Sequence, residues 1–83
     1  MEYRSLGRTG VKVSKLCLGC LPFGAATEPE DSYDMIDRAI DAGINFLDTA
    51  EIYSAPIKKE TYGLTEKIIG KWFEKTKKRD KVI

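Results

Sequence analysis

The stretch GINFLDTAEIYS, Gly43 to Ser54, decides the fold. Its apolar run at 44–48 follows a glycine and ends in an aspartate, which is the pattern of a short buried strand entered directly from a helix. Tyr53 follows Asp48 by five residues. Parallel α/β folds bind their ligands at the carboxyl ends of their strands, so this acid and this phenol lie where that class of fold carries its chemistry.

Helical periodicity flanks the strand on both sides. Residues 30–42 repeat apolar side chains on one helix face, and acidic residues crowd the first turn, where the helix dipole favours them. That apolar face consists of Met35, Ile36, Ala39 and Ile40. A second helix is predicted to begin near residues 63–65, with its apolar face at Leu64, Ile68, Ile69, Trp72 and Phe73. Gly43 is expected to end the first helix in a left-handed conformation.

The rest of the chain predicts further strands. Residues 2–6 and 11–13 flank the turn sequence GRTG and indicate a β-hairpin. KLCLGC at 15–20 is typical of a buried strand, and KVI at 81–83 of the start of another after the polar turn KKRD. The order hairpin, β, α, β, α, β favours parallel pairing through right-handed crossovers in one α/β domain, with no second domain.

Composition narrows the class of protein. Of 83 residues, 42% are apolar and 33% charged, as in ordinary globular domains. No segment approaches the roughly 20 apolar residues of a membrane span, and the first ten residues lack the apolar core of a signal peptide. We therefore expect a cytoplasmic protein without a membrane partner. The oligomeric state cannot be inferred from the sequence.

Charge is unevenly distributed along the chain. Residues 1–57 sum to −4 and residues 58–83 to +5. A basic segment can indicate nucleic acid binding, but Lys67, Lys71 and Lys75 recur every four residues, as on the wet side of a helix. No aromatic residues interleave them as a base-stacking surface requires. We expect no nucleic acid partner.

The two cysteines form a single C-x-x-C, Cys17 and Cys20. A structural zinc site needs four ligands, and this chain has neither a histidine nor a second cysteine pair. A redox C-x-x-C usually opens a helix, whereas this one lies in a predicted strand, where positions i and i+3 point to opposite faces. Neither a metal nor a redox role is expected.

Asp48 and Tyr53 have a catalytic interpretation and a structural one. A tyrosine hydroxyl can act as a general acid at neutral pH, and it does so better beside a cation such as a lysine ammonium, which a buried Asp48 could hold. Equally, Asp48 with Glu51 could only cap a turn, and Tyr53 could be a half-buried loop aromatic. Motifs for other chemistries are missing: the chain has no histidine, no G-x-G-x-x-G and no phosphate-binding loop lysine.

Several segments, in order and spacing, resemble the aldo-keto reductases. GINFLDTAEIYS resembles the family's strand ending in Asp-Thr-Ala with the catalytic tyrosine five residues after the aspartate. YRSLGRTGVKVSKLCLGC is similar to its N-terminal hairpin and first barrel strand, and the run ETYGLTE resembles the bacterial Tas-type branch. The resemblance covers the whole chain.

This resemblance implies a (β/α)8 barrel that binds NADP(H) and passes a hydride to a small-molecule aldehyde or ketone. It implies that Tyr53 protonates the carbonyl oxygen and that Asp48 pairs with a lysine that makes the tyrosine more acidic. It implies cofactor contacts from Gly19, Cys20, Leu21 and Asp48. Relatives often have threonine at the position of Cys20.

The family's lysine and histidine are expected beyond Ile83, as are its contacts to the 2′-phosphate of the cofactor. The fold expected for residues 1–83 is therefore an incomplete barrel: the hairpin, two βα units and the start of the third strand. By itself this N-terminal fragment is expected to be inactive and poorly folded. The alternatives are a non-catalytic, cofactor-binding regulatory subunit on the same fold, or a truncated remnant without function.

Overall fold

A computed structural model describes all 83 residues and begins with the predicted hairpin. Strands β1 (Tyr3–Ser5) and β2 (Lys12–Ser14) pair antiparallel, with Tyr3 opposite Ser14. Gly7 and Gly10 have positive φ angles of 58° and 79° in the turn between them. Glycine adopts such angles without steric cost, so GRTG closes the hairpin as expected.

The next two strands form a parallel pair, as the alternation of strands and helices predicts. Strands β3 (Leu18–Gly19) and β4 (Leu47–Asp48) pair in parallel, with Leu18 opposite Leu47 and Gly19 opposite Asp48. Both are shorter than the apolar runs 15–20 and 44–48 suggest. The predicted lengths were wrong because apolar pattern reports burial, whereas strand length is set by the partner's hydrogen bonds.

Ile83 lies beside β4, but residues 81–83 do not form the strand that the sequence predicts, and Lys81 lies in a 3₁₀ helix. The Ile83 amide donates to the Asn45 carbonyl at 2.7 Å, and the Leu47 amide donates to the Ile83 carbonyl at 3.0 Å. This alternation across one residue is the bonding of a parallel ladder. The preceding polar turn contains a 3₁₀ helix, Arg79–Lys81.

Helix α1 (Pro29–Asp41) connects β3 to β4 and ends as the sequence predicts. Gly43 has a φ of 95°, its amide donates to the Ile40 carbonyl, and the Ile44 amide donates to the Ala39 carbonyl. These two bonds form a Schellman motif, which satisfies carbonyls that the helix end would otherwise leave open. Met35, expected on the buried face, is 46% exposed, so that expectation was wrong for this residue.

Helix α2 (Leu64–Thr76) supplies three of the six residues of the buried apolar cluster. Trp72 is 1% exposed, and its indole Nε1 donates to the Asp37 carboxylate on α1 at 2.8 Å. The buried apolar cluster beneath the two helices comprises Cys20, Phe23, Ile36, Ile68, Ile69 and Trp72. The predicted lysine stripe of α2 is exposed, which confirms it as a wet face.

Asn45 joins the hairpin to β4. Its side-chain oxygen accepts from the Ser14 amide at 2.8 Å, and its side-chain nitrogen donates to the Lys12 carbonyl at 3.0 Å. Its own amide donates to the Ser14 hydroxyl at 3.2 Å. The Asn45 side chain therefore bonds to the backbone of β2, 31 residues earlier in the sequence, as a neighbouring strand would.

Neither helix has the length and apolar character that crossing a membrane requires.

Candidate functional site

Asp48 and Gly19 lie side by side at the carboxyl ends of β4 and β3. The Cys20 amide donates to the Asp48 carbonyl at 2.9 Å, which fixes the two strand ends in register. The Asp48 residue is exposed, so the carboxylate is not buried within these 83 residues as the sequence argument supposed. It also forms no ion pair in this chain.

Tyr53 lies in the long loop between β4 and α2 and is half-buried. Its amide donates to the Ala50 carbonyl at 3.1 Å, closing a turn directly after the strand. The Tyr53 carbonyl accepts from the amide of Thr65, in the first turn of α2, at 3.4 Å. Main-chain bonds at both ends therefore hold this residue between the strand end and the helix start.

Cys20 and Leu21 continue β3 but face different surroundings. Cys20 is 0% exposed within the apolar cluster, and its thiol donates to the Leu18 carbonyl. Burial, followed by the nearby Cys17 thiol, raises the pKa of Cys20 to about 12. Leu21 is 37% exposed, while its carbonyl is bonded to the loop that carries Tyr53. Only Leu21 and Gly19 of this segment thus face solvent.

Cys17 and Cys20 flank the two-residue strand β3, so the expectation that both lie within a strand was wrong. Cys17 is exposed and Cys20 is buried, and both thiols are free. Burial and then the charge of Asp48 raise the pKa of Cys17, so neither cysteine is activated as a thiolate nucleophile. No cluster of three or more histidine, cysteine or acidic side chains is arranged to hold a metal ion.

Two buried hydroxyls that sequence reasoning missed join the β3 end to the Tyr53 loop. The Thr65 hydroxyl lies 3.1 Å from the Cys20 carbonyl, 3.3 Å from that of Leu21 and 2.9 Å from that of Phe23. The Ser54 hydroxyl donates to the Leu21 carbonyl at 2.9 Å. Both residues are 0% exposed. A signal existed for Thr65: it lies three and four residues before Ile68 and Ile69, on the buried face, where a hydroxyl needs a partner.

A second contact from the start of α2 reaches the end of β4. The Thr49 hydroxyl donates to the Glu66 carboxylate at 3.2 Å. Thr49 directly follows Asp48, and Glu66 directly follows Thr65. The first turn of α2 therefore contacts the segments that follow both strands.

The family model described as "Aldo/keto reductase family" matches residues 15–83. The chain is 49% identical over 84 residues to "Uncharacterized oxidoreductase YrpG" of Bacillus subtilis, an alignment that covers all of this chain and 25% of that protein. It is 39% identical to "Protein tas" of Escherichia coli over 83 residues, covering all of this chain and 24% of the relative. "Versiconal hemiacetal acetate reductase" of Aspergillus parasiticus is 38% identical over 81 residues, covering 90% of this chain and 22% of that protein.

Paired βα units with polar residues at the strand ends are the elements of an α/β barrel, and the two sheets and two helices found here are consistent with part of one. The chain belongs to the aldo/keto reductase family, and its similarity to YrpG and Tas supports the Tas-type branch. It spans about a quarter of the length of these two relatives.

Proposed function

We propose that this chain is part of an aldo-keto reductase that uses NADP(H) to reduce small aldehydes or ketones. The observation that carries the proposal is the pairing of Gly19 with Asp48 at the carboxyl end of the parallel strands, in a chain of this family. Tyr53 follows five residues later on a loop tied to the same strand ends. These main-chain contacts support a shared site for Gly19, Asp48 and Tyr53 at this end of the sheet.

In this proposal Tyr53 donates the proton that the carbonyl oxygen needs as the carbon is reduced. Asp48 holds a lysine ammonium contributed by a segment outside residues 1–83, and that cation makes the phenol more acidic. A general acid of this kind contributes about 10²- to 10⁴-fold to a rate. The exposed, unpaired state of Asp48 supports this role, since its charge is not already neutralised by another residue.

Open space beside Gly19 supports a contact with the nicotinamide at this position. A Cβ built on Gly19 would have no atom within 4 Å, so open space adjoins the backbone beside Asp48. Gly19, Asp48 and the exposed side of Leu21 would contact the cofactor, whereas Cys20 could contribute only through its backbone because its side chain is buried. When bound, the reduced nicotinamide supplies the hydride.

The test uses a completed barrel. This is the longer product of the reading frame that contains these 83 residues or, if that frame stops after Ile83, the 83 residues joined to the remaining sequence of B. subtilis YrpG. NADPH oxidation is followed with a panel of aldehydes and ketones. We expect turnover by the completed barrel and none by the 83 residues alone.

The matched variants are Tyr53→Phe and Tyr62→Phe, which remove a phenol from the same loop. Tyr62 is 51% exposed. We expect Tyr53→Phe to lower kcat by at least about 100-fold, as removal of a general acid does, and Tyr62→Phe to leave it within about twofold. Equal turnover by the Tyr53→Phe protein would contradict the assignment. NADPH binding without turnover on any substrate would favour the non-catalytic subunit instead.

A further inference from the structure

We propose that Thr65 is a positioning residue that fixes the β3 end against the Tyr53 loop. This inference rests on the proposed function for its catalytic consequence, though the contact itself does not. Thr65 touches neither Asp48 nor the Tyr53 side chain in the hydrogen-bond network, and it acts through main-chain carbonyls on both sides of the site.

The hydroxyl faces three carbonyls of one tight turn. Those of Cys20, Leu21 and Phe23 all lie within 3.3 Å of its oxygen. One hydroxyl proton is shared among them, so the contact holds the turn as a unit rather than one residue of it. The Phe23 carbonyl has no other donor, and Phe23 is 1% exposed. Loss of the hydroxyl would leave that carbonyl buried without a partner.

The backbone of Thr65 reaches the other side of the site. Its amide donates to the Tyr53 carbonyl, so one residue is bonded to the catalytic loop and to the turn after β3. The adjacent Ser54 and Ala55 strengthen the connection, since the Ser54 hydroxyl and the Ala55 amide both donate to the Leu21 carbonyl, at 2.9 Å and 3.0 Å.

Together these bonds set the distance between Gly19, next to the proposed nicotinamide surface, and Tyr53, the proposed proton donor. Hydride and proton are delivered to adjacent atoms of one carbonyl, so an error of about 1 Å in this distance costs roughly 100-fold in rate. If Thr65 only stabilised the fold, it would not need to form hydrogen bonds to both the turn after β3 and the Tyr53 loop.

Thr65→Val in the completed barrel removes the hydroxyl and keeps the side-chain shape. The matched control is Thr76→Val in the same helix, because the Thr76 hydroxyl donates to the Trp72 carbonyl at 2.7 Å, far along α2 from the site. Thr65→Ser restores the hydroxyl. We expect Thr65→Val to lower kcat by about 10- to 100-fold with little change in KM for NADPH, Thr76→Val to leave kcat within about twofold, and Thr65→Ser to recover most of the activity.

A second readout needs no catalysis. In a Cys17→Ser background the buried Cys20 thiol is the chain's remaining cysteine among residues 1–83, and its reaction with a disulfide reagent reports opening of the turn. We expect Thr65→Val to accelerate this reaction by at least about fivefold and Thr76→Val to leave it unchanged, because an unpartnered buried carbonyl favours local opening. Any reactive cysteine in the YrpG-derived sequence is replaced by serine before the measurement.

If Thr65→Val fails to fold, Ser54→Ala is tested in its place. We expect it to lower kcat and to accelerate Cys20 labelling, each by less than Thr65→Val would. Unchanged Cys20 labelling in the folded variant would overturn the contact, and unchanged kcat would overturn its positioning role. A loss of kcat as large in Thr76→Val as in Thr65→Val would mean that stability alone is measured. If the parent protein has no turnover, the proposed function fails, and the labelling still decides whether Thr65 holds the turn.

Discussion

Cys20 is a thiol whose surroundings oppose its ionisation. Burial and the neighbouring Cys17 raise its pKa from 9.0 to about 12 in the folded chain. Below pH 9 the thiol is protonated in both states, and its contribution to stability is fully present. As the pH rises from 9 towards 12, the unfolded chain loses this proton while the folded chain keeps it, so stability falls.

We therefore predict that the free energy of unfolding of the completed barrel decreases more steeply above pH 9 than that of its Cys20→Ala variant. Urea denaturation at a series of pH values gives the unfolding free energy of each protein. Lysines and tyrosines common to both contribute equally, so their titration cancels in the difference between the two values. Cys17→Ala is the control and should retain most of the slope, because burial raises the pKa of Cys20 more than Cys17 does. Parallel slopes for the wild type and Cys20→Ala would show that the thiol ionises normally.

Asp37 and Asp34 provide a second residue-scale comparison on one helix. Asp37 accepts the indole proton of buried Trp72, whereas Asp34 pairs at 2.9 Å with Arg38 and both side chains are largely exposed. Asp37→Ala leaves a buried donor without an acceptor, so we predict a loss of about 1–3 kcal/mol in unfolding free energy. Asp34→Ala should cost about 0.5 kcal/mol or less, since solvent screens exposed pairs. Equal losses of unfolding free energy in urea denaturation would show that the Trp72–Asp37 bond stabilises the fold no more than the exposed Asp34–Arg38 pair does.

The site shows where residue-level prediction succeeds and where it stops. The end of one strand and the five-residue spacing after it suggested Asp48 and Tyr53, and their catalytic roles stay predictions. Thr65 and Ser54 escaped notice because their acceptors lie 33 to 45 residues away in sequence. Local patterns encode which face of a helix is buried, but they do not encode which distant carbonyl meets a hydroxyl there.

At the scale of elements, helices were predicted better than strands. Helix α1 matches its expected range to within one residue and α2 begins where it was expected, because periodicity, Gly43 and the acidic first turn are all local features. Strands β3 and β4 are two residues long, although longer apolar runs were expected. Strand length depends on which neighbours are available to pair, and the apolar pattern of one segment contains no information about them.

Replacing Gly43 and Gly70 with alanine should change the unfolding free energy in opposite directions. Gly43 ends α1 at a φ of 95°, and a Cβ there would lie 3.0 Å from both Met1 Cβ and Tyr3 Oη. Gly70 lies inside α2, and a Cβ there would have no atom within 4 Å. We predict that Gly43→Ala lowers the unfolding free energy of the completed barrel by about 1–2 kcal/mol, from backbone strain.

Gly70→Ala should instead raise the unfolding free energy by about 0.5–1 kcal/mol, because alanine loses less backbone entropy in a helix. Urea denaturation of both variants measures the two shifts. A neutral Gly43→Ala would mean that the Schellman ending of α1 relaxes freely, and a destabilising Gly70→Ala would mean that this exposed helix face is covered in the completed barrel.

At the scale of the whole molecule, the 83 residues leave much apolar surface in water. Only 13 residues are buried, and ten large apolar side chains are exposed, with Leu16 at 60% and Ile57 at 53%. The sheet of β3 and β4 has two paired strands, and unpaired strand edges invite association. We predict that residues 1–83 alone unfold without a sharp transition or aggregate, whereas the completed barrel unfolds cooperatively.

Size-exclusion chromatography and urea denaturation followed by circular dichroism compare the two proteins. A monomeric 83-residue chain with a steep, reversible transition would contradict this prediction. It would show that the core around Trp72 and Phe23 suffices without further strands.

The bonds of Asn45 to the hairpin also bear on the order in which the chain can assemble during synthesis. The ribosome releases residues 1–14 first, yet the side chain that anchors Lys12 and Ser14 to β4 emerges 31 residues after Ser14. The Tyr3 hydroxyl likewise donates to the Gly43 carbonyl at 2.6 Å, and this bond cannot form until Gly43 has been synthesised. The hairpin can therefore dock only after residues 43–45 have left the ribosome, and until then it lacks the hydrogen bonds that hold it against the rest of the fold.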